Sequence, residues 1–228
     1  MDQEAFKRAA GYRAAEFIQS GMVVGLGSGS TARYATERIA QKLASGELRE
    51  IIAVPTSEAT AELARQGRIP LTTLDEQPII DVTIDGADEV DPQLDLIKGL
   101  GGAQLREKIV AFASQREIIV VDESKLVERL GSKAPLPVEV FAFGLRNTWR
   151  ALEATGAQVT QRMRAGEPFI TDEGNLILDC HYAPYISNAA ALAVTLKAIP
   201  GVVEHGLFLG MAETIVVAAA SGVRLISR

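Results

Sequence analysis

The stretch at 85–108 reads DGADEVDPQLDLIKGLGGAQLREK, and its surroundings indicate the fold. An apolar run at 79–84 ends directly before it, which predicts a buried strand followed by an acidic turn. The glycine-rich run at 98–102 precedes an apolar-periodic segment that predicts a helix over about 103–114. Open α/β sheets bind ligands where acidic turns follow strands and glycine loops precede helices. Ordinary solvated turns are also rich in Asp and Gly, so this stretch alone leaves that alternative open.

The segments around this stretch alternate between strands and helices. We predict helices at 3–19, 32–43, 57–66 and 103–114, and strands at 22–25, 50–54, 69–73, 79–84 and 117–121. This alternation indicates a Rossmann-like, mostly parallel sheet with helices on both faces. Right-handed crossovers bring the carboxyl ends of such strands to one edge. We therefore expect the turns at 25–31, 85–91 and 98–102 to follow that edge.

The pattern changes after Lys125. A proline-containing segment at 134–137 precedes elements in the order β-α-β-β-α-β, with a hairpin turn at 171–175. This order predicts a smaller ferredoxin-like α+β domain. Two last strands, at 214–219 and 223–226, are expected to return to the first sheet. We predict a Rossmann-like catalytic domain at 1–132 and 207–228, and the ferredoxin-like domain at 133–206.

Composition excludes several classes of function. The 228 residues carry a net charge of −6, with 47% hydrophobic and 23% charged residues, so no basic surface for nucleic acid is expected. The amino-terminal stretch is charged, and no apolar run is long enough to cross a membrane. We expect a cytoplasmic protein, or an organellar one after removal of a transit peptide. The single cysteine, Cys180, excludes an intramolecular disulfide, and it is either a buried thiol or half of a Cys/His pair.

The run GLGSGST at 25–31 lies between a predicted strand and a predicted helix. It lacks the third glycine of a dinucleotide fingerprint and the lysine of a P-loop. Glycines allow close backbone approach, and a helix amino terminus offers free N–H groups and partial positive charge. We expect a phosphate group to bind here, and the alternative is that Ser30 simply caps the helix.

The charged residues of the central stretch allow two chemistries. Asp85 and Asp88 could hold Mg²⁺, or they could transfer protons and bind the hydroxyl groups of a polyol. Glu107 could be a buried base or a surface carboxylate near a helix amino terminus. Lys98 could be functional or exposed. Lys125 could bind a ligand at the sheet edge, or it could follow a capped helix start at 122–125.

Together these motifs resemble the type A ribose-5-phosphate isomerases. The resemblance rests on GLGSGSTA at 25–32, DGADEVD at 85–91, KGLGGAQLREK at 98–108 and DESK at 122–125, and it extends to PLPVEV, TDEGNLILD and IPGVVEHGLF at 135–140, 171–179 and 199–208. It implies interconversion of ribose 5-phosphate and ribulose 5-phosphate through an enediol, without cofactor or metal. It also implies a homodimer or homotetramer.

The resemblance also implies site residues. Glu107 matches the catalytic base, and Asp85, Asp88 and Lys98 match polar catalytic residues. Substrate contacts are implied for Ser28, Gly29, Ser30, Thr31, Asp85, Gly86, Ala87, Asp88, Lys98, Gly99, Leu100, Gly101, Lys125 and Lys7. One departure is Leu100, which stands where many members have glycine and could narrow the loop. From the chemistry we assign opening of the furanose ring to Asp85, and we expect Lys98 to stabilise the enediolate.

Other functions remain possible at this stage. They are action on a different sugar phosphate, acyl-CoA chemistry on a similar sheet, a non-catalytic sugar-phosphate sensor and a redox enzyme. The chain lacks a CoA-sized second half, a basic DNA-binding segment and a complete dinucleotide fingerprint, and each absence argues against the corresponding alternative.

Overall fold

The structure is a computed structural model that describes residues 3–228. The first two residues of the charged amino-terminal stretch lie outside this range. The helices are α1 (Gln3–Ala15), α2 (Ala32–Ala44), α3 (Glu58–Gln66), α4 (Gln104–Phe112), α5 (Leu145–Glu153) and α6 (Ala189–Lys197). The strands are β1 (Val23–Leu26), β2 (Ile52–Pro55), β3 (Val82–Gly86), β4 (Glu89–Val90), β5 (Leu96–Ile97), β6 (Glu117–Asp122), β7 (Leu136–Val140), β8 (Gln158–Gln161), β9 (Met163–Arg164), β10 (Glu167–Pro168), β11 (Leu176–His181), β12 (Val202–His205), β13 (Leu207–Phe208), β14 (Thr214–Ala219) and β15 (Gly222–Ser227).

The chain divides into two compact units. The first comprises residues up to Ala87 with Arg106–Leu126 and Met211–Arg228, and the second comprises Asp88–Leu105 and Val127–Gly210. The predicted domain boundaries, at 132/133 and 206/207, stay a proposal. The packing units differ from those domains mainly at 88–105, which the prediction places with the parallel sheet.

The first unit is built on a six-stranded sheet of order β15-β14-β6-β3-β1-β2, parallel except for β15. Both faces are covered, as predicted. Val24 packs in one apolar cluster with residues of α1 and α2, whereas its neighbour Val23 packs with Val110 of α4 in another. Successive side chains of a strand point to opposite faces, so the helices lie on the two sides of this sheet. The expected return of β14 and β15 to this sheet is confirmed.

The carboxyl ends of three neighbouring strands meet at one edge of this sheet. Leu26 at the end of β1 pairs with Ile84, and Gly86 at the end of β3 pairs with Val120 of β6. The segments at 27–31, 85–87 and 122–125 therefore leave the sheet side by side. The prediction that 98–102 follows the same edge is wrong, because these residues follow β5, which belongs to a three-stranded antiparallel sheet of the second unit.

The strand predicted at 69–73 is also wrong. This segment makes a single bridge, between Ala53 and Leu71. Ala53 exchanges two hydrogen bonds with the segment, donating to Pro70 and accepting from Thr72. Pro70 has no N–H to donate, which prevents the ladder from continuing.

The second unit contains the predicted ferredoxin-like arrangement. The strands β7, β8, β11 and β12 form an antiparallel sheet of order β12-β7-β11-β8, connected through α5 and α6. Leu136, Val138 and Val140 of β7 belong to its apolar core. The two-stranded hairpin β9–β10 and the three-stranded sheet β13-β5-β4 were not predicted, because two-residue strands are too short to show periodicity. No helix within the described range 3–228 is long and apolar enough to cross a membrane.

Candidate functional site

Asp85 is a buried carboxylate at the edge of the parallel sheet, held by hydrogen bonds from the backbone. It is fully buried at the end of β3. Its Oδ1 accepts hydrogen bonds from the backbone N–H groups of Ser28 (3.0 Å) and Gly86 (2.7 Å). A Cβ on Gly27 would lie 2.4 Å from the Cα of Asp85, so only glycine allows this approach. The glycine loop and the acidic turn are thus parts of one arrangement.

A cluster of four hydroxyl groups anchors the glycine loop, and we call Ser28, Thr56, Ser57 and Thr60 the hydroxyl cluster. Ser28 Oγ donates to Ser57 Oγ (2.7 Å) and lies 2.8 Å from Thr56 Oγ1 and 3.1 Å from Thr60 Oγ1. Ser57 Oγ donates to Thr60 Oγ1, which donates to the carbonyl oxygen of Gly27 (3.1 Å). The hydroxyl hydrogen of Ser28 is therefore used within the protein. Sequence reasoning missed the other three residues, although Thr56 and Ser57 follow the parallel strand β2.

The rest of the loop carries the groups expected to bind an anion. Gly29 has φ of +99°, and its surroundings leave a Cβ position open. Ser30 is exposed at the start of α2. Thr31 is the N-cap residue of α2 and makes no side-chain capping bond, so the alternative that Ser30 caps this helix is wrong. Arg33 N–H donates to Gly29 C=O, which fixes the turn ahead of the helix.

Two lysines of the first unit were predicted at the site. Lys125 ends the 3-10 turn Glu123–Lys125 after β6 and is half-buried. Asp122 caps this turn by accepting from Ser124 N–H at 2.9 Å, so a capped turn and not a long helix begins here. Lys7 of α1 pairs with Glu4, with 3.3 Å between Lys7 Nζ and Glu4 Oε1, and the Lys7 side chain is 16% exposed.

Glu107 lies in the first turn of α4 and is only 5% exposed. The alternative of a surface carboxylate is therefore wrong. The preceding residue, Arg106, pairs with Glu58 of α3 at 2.9 Å, which ties the start of α4 to the start of α3. A buried carboxylate at a helix amino terminus is a suitable proton acceptor, because the surrounding protein groups, more than solvent, determine how readily it takes up a proton.

Two predicted parts of the site lie in the second unit: Asp88 and the loop at 98–102, which we call the KGLGG loop. Asp88 Oδ2 accepts from Leu100 N–H at 2.9 Å, and Asp88 N–H donates to Ile97 C=O. Lys98 is 2% exposed, and its Nζ lies 5.4 Å from the ring centroid of Phe208. The alternative of an exposed Lys98 is wrong. The Leu100 side chain is 41% exposed.

The remaining acids of the stretch at 85–91, Glu89 and Asp91, hold backbone N–H groups in place. Glu89 is fully buried and accepts from the N–H groups of Gly131, Lys133 and Ala134 at 2.5–2.7 Å. Asp91 closes its own turn by accepting from Gln93 and Asp95. The sequence could not separate these acids from Asp85 and Asp88, because all four precede the same glycine loop.

Cys180 is a buried thiol. It has no exposed surface, and burial together with the nearby Asp179 raises its pKa to about 12. A nucleophilic cysteine needs a lowered pKa, so the Cys/His alternative is not supported. Within residues 3–228 no three His, Cys, Asp or Glu side chains are grouped as metal ligands.

A Rossmann-like sheet whose strand ends present a buried carboxylate, a hydroxyl-lined glycine loop and Lys125 is typical of an α/β enzyme for a small anionic substrate. The family model of ribose 5-phosphate isomerase A (phosphoriboisomerase A) matches residues 52–222. Ribose-5-phosphate isomerase A of Roseiflexus castenholzii is 53% identical over 98% of this chain and 95% of its own. That of Chloroflexus aurantiacus is 56% identical over 97% and 92%.

Solved structures agree with these relatives. A D-ribose-5-phosphate isomerase in complex with phospho-erythronic acid is 40% identical, with a TM-score of 0.97 over all of both chains. The enzyme of Plasmodium falciparum is 39% identical, with a TM-score of 0.97 over 99% of each chain. The chain belongs to the ribose 5-phosphate isomerase A family. It interconverts ribose 5-phosphate and ribulose 5-phosphate in the pentose phosphate pathway, and the isomerase interpretation of the motifs is confirmed.

Proposed function

We propose that the isomerisation proceeds through a cis-enediolate with Glu107 as the base. The reaction moves a proton between neighbouring carbons, and one carboxylate can remove it from C2 and return it to C1. The burial of Glu107 in the first turn of α4 supports this role most directly. Positioned acid–base catalysis contributes roughly 10²- to 10⁴-fold to a rate. Because the net change is an internal proton and electron shift, the proposal needs neither cofactor nor metal.

Asp85 acts in opening the furanose ring. This step requires a group that accepts the proton of the anomeric hydroxyl while the ring oxygen gains one. The two backbone N–H groups on its Oδ1 hold the carboxylate of Asp85 in one orientation, which suits repeated proton transfer. Gly86 and Ala87 follow Asp85 directly, and their backbone forms the rest of this turn.

Lys98 stabilises the negative oxygen of the enediolate, together with N–H groups of the KGLGG loop. A buried ammonium group has a fixed position and is weakly screened, and each such preorganised donor is typically worth about 3 kcal/mol. Asp88 orients the loop through Leu100 N–H, while Gly99 and Gly101 supply backbone groups. The exposed Leu100 side chain is expected to leave these backbone groups accessible.

The phosphate of the substrate binds at the amino terminus of α2. The N–H groups of 29–31 and the hydroxyls of Ser30 and Thr31 are its donors, and Lys125 and Lys7 add positive charge. Ser28 supports the loop through the hydroxyl cluster. We further propose a cytoplasmic enzyme that assembles as a homodimer or homotetramer. Light scattering tests the assembly, and a monomer at micromolar concentration would contradict it.

The first experiment measures conversion of ribose 5-phosphate in EDTA-treated D₂O with the wild type, Glu107→Gln and the control Glu62→Gln. Glu62 is an exposed carboxylate of α3. We expect EDTA to have no effect, Glu107→Gln to lose roughly 10²- to 10⁴-fold in kcat, and Glu62→Gln to retain activity. The product should carry solvent deuterium, because the base exchanges its proton.

One result would contradict this assignment of the base: near-normal turnover by Glu107→Gln would move the base to another carboxylate. Deuterium in the product would exclude direct hydride transfer, whereas a product free of deuterium is also expected if Glu107 returns the same proton before it exchanges. Phospho-erythronic acid, the ligand of the related structure, offers a second probe. Its carboxylate resembles the enediolate end of the intermediate, so we expect competitive inhibition of the wild type.

A further inference from the structure

Arg162 reaches the KGLGG loop from a distant part of the second unit. It lies between β8 and β9, and its Nη1 donates to the carbonyl oxygens of Gly99 (2.7 Å) and Leu100 (3.0 Å). Its Nε donates to Asp179 Oδ2 at 3.0 Å, and its Nη2 donates to Asp179 Oδ1. Four hydrogen bonds from one guanidinium therefore connect β11 to the backbone of the loop.

The pair is built rigidly. The side chains of Arg162 and Asp179 are 12% and 15% exposed. The backbone N–H of Arg162 donates to Ile177 C=O, and its carbonyl accepts from Phe169 N–H, both at 2.9 Å. A two-bond contact with a carboxylate fixes the plane of the guanidinium. Asp179 thus determines where Nη1 points, and Nη1 determines where the two carbonyl groups point.

The direction of these carbonyl groups sets the direction of the loop's N–H groups. In a trans peptide the N–H points opposite to the C=O of the preceding residue. Because the carbonyls of Gly99 and Leu100 turn toward Arg162, the N–H groups of Leu100 and Gly101 point away from it. Leu100 N–H is taken by Asp88. Gly101 N–H has no acceptor among residues 3–228, and Gly101 is exposed.

We infer that Arg162 and Asp179 are positioning residues for the isomerase reaction: they aim the Gly101 N–H of the KGLGG loop at the oxygen that becomes negative and hold the Leu100 N–H on Asp88. The cation on the carbonyl side also polarises both peptide groups and strengthens their N–H donors. A lysine has no planar fork, so it cannot bridge both carbonyls and the carboxylate at once. The inference rests on the proposed role of the loop in binding the enediolate.

The test compares Arg162→Lys and Asp179→Asn with Arg150→Lys, which alters an exposed arginine of α5 in the same unit. A displacement of about 1 Å at reacting groups can cost about 100-fold in rate. We expect kcat/KM to fall about 10- to 100-fold in both site variants, mainly through kcat, and to be unchanged in Arg150→Lys. Binding of phospho-erythronic acid should weaken in parallel, since its carboxylate uses the same donors.

Two further measurements separate positioning from general stabilisation. In Arg162→Ala, added guanidinium ion should restore part of the activity, and it should restore none in Arg150→Ala. Lys98→Gln reports on the proposed mechanism itself. If Lys98→Gln is inactive while Arg162→Lys lowers Tm but keeps wild-type kcat and inhibitor affinity, the pair is only structural and the inference is wrong. If Lys98→Gln keeps full activity, the proposed role of the loop fails instead.

Discussion

Two glycine loops carry most of the proposed substrate contacts, and they are stabilised in different ways. The loop at 27–31 follows β1 of the parallel sheet and is fixed by Asp85 of the neighbouring strand β3 and by the hydroxyl cluster, whose other members follow β2. The KGLGG loop follows a two-residue strand and is held by a guanidinium more than 60 residues away in sequence. The first loop is thus a consequence of sheet topology, whereas the second depends on contacts from separate segments of its own unit, namely Asp88, Gly206 and the Arg162–Asp179 pair. Mutations should therefore act on the two loops differently.

The largest effect is expected from Gly27→Ala. The added Cβ would lie 2.3–2.4 Å from Asp85, including its Cα, so relief requires a shift of two paired strands. Overpacking of this kind costs about 1–3 kcal/mol or more. Thermal unfolding should show a large fall in Tm, and kcat should fall with it because Asp85 moves. Gly101→Ala, in the other loop, adds a Cβ to open space and should leave Tm nearly unchanged. Equal losses of Tm in the two variants would show that the loops do not differ in packing.

Thr60→Val should weaken the hydrogen bonds that anchor the loop at 27–31, while the side chain keeps nearly the same volume. The valine removes the donor to Gly27 C=O and the acceptor for Ser57 Oγ. Leaving buried polar groups unpaired costs about 1–3 kcal/mol. We expect urea unfolding to report a loss in this range and KM for ribose 5-phosphate to rise. The control is Thr195→Val, which removes an exposed hydroxyl bonded only within α6. A loss no larger than that of the control would mean that the hydroxyl cluster contributes little.

Lys125→Met and Lys7→Met test the positive charge near the phosphate. Lys125 is half-buried, whereas Lys7 pairs with Glu4. A pair of opposite charges produces a weaker field at the phosphate, so we expect KM to rise about tenfold for Lys125→Met and less for Lys7→Met. Measurements at low and high salt should show that the difference shrinks as salt increases. Unchanged KM in both variants would place the phosphate elsewhere.

The smallest effect concerns Glu139, in the core strand β7 of the second unit. Burial raises its pKa above the ordinary value of 4.5, although Thr171 and Asn175 donate to its Oε1. Folding therefore favours the neutral form of Glu139. The stability that this preference contributes to the free energy of unfolding is lost as pH rises through the raised pKa. Glu139→Gln should raise Tm by a few degrees at pH 8, and the gain should vanish below pH 4.5. The exposed Glu167→Gln is the control. A gain that does not depend on pH would exclude titration of Glu139 as its cause.

Sequence reasoning found the first loop because its parts are local. A strand, a glycine turn and a helix each have a clear periodic or compositional signal, and parallel topology brings the turns after β1, β3 and β6 together. It also identified Glu107 and Lys98 as candidates, but burial was needed to exclude surface positions for them. The prediction of a strand at 69–73 was wrong for a local reason, because Pro70 has no N–H group with which to continue the hydrogen-bond ladder.

The amino-acid sequence by itself determined the class of fold, the family and the residue types of the proposed site, because these depend on periodicity and on short motifs. Only the tertiary structure decided which acids are structural. Glu89 and Asp85 look alike in sequence, yet one binds three backbone N–H groups of a distant loop and the other lies against Gly27. Likewise, nothing local marks Arg162 as a partner of the KGLGG loop. Contacts between residues far apart in sequence depend on how the chain packs, and that is settled only by the folded core.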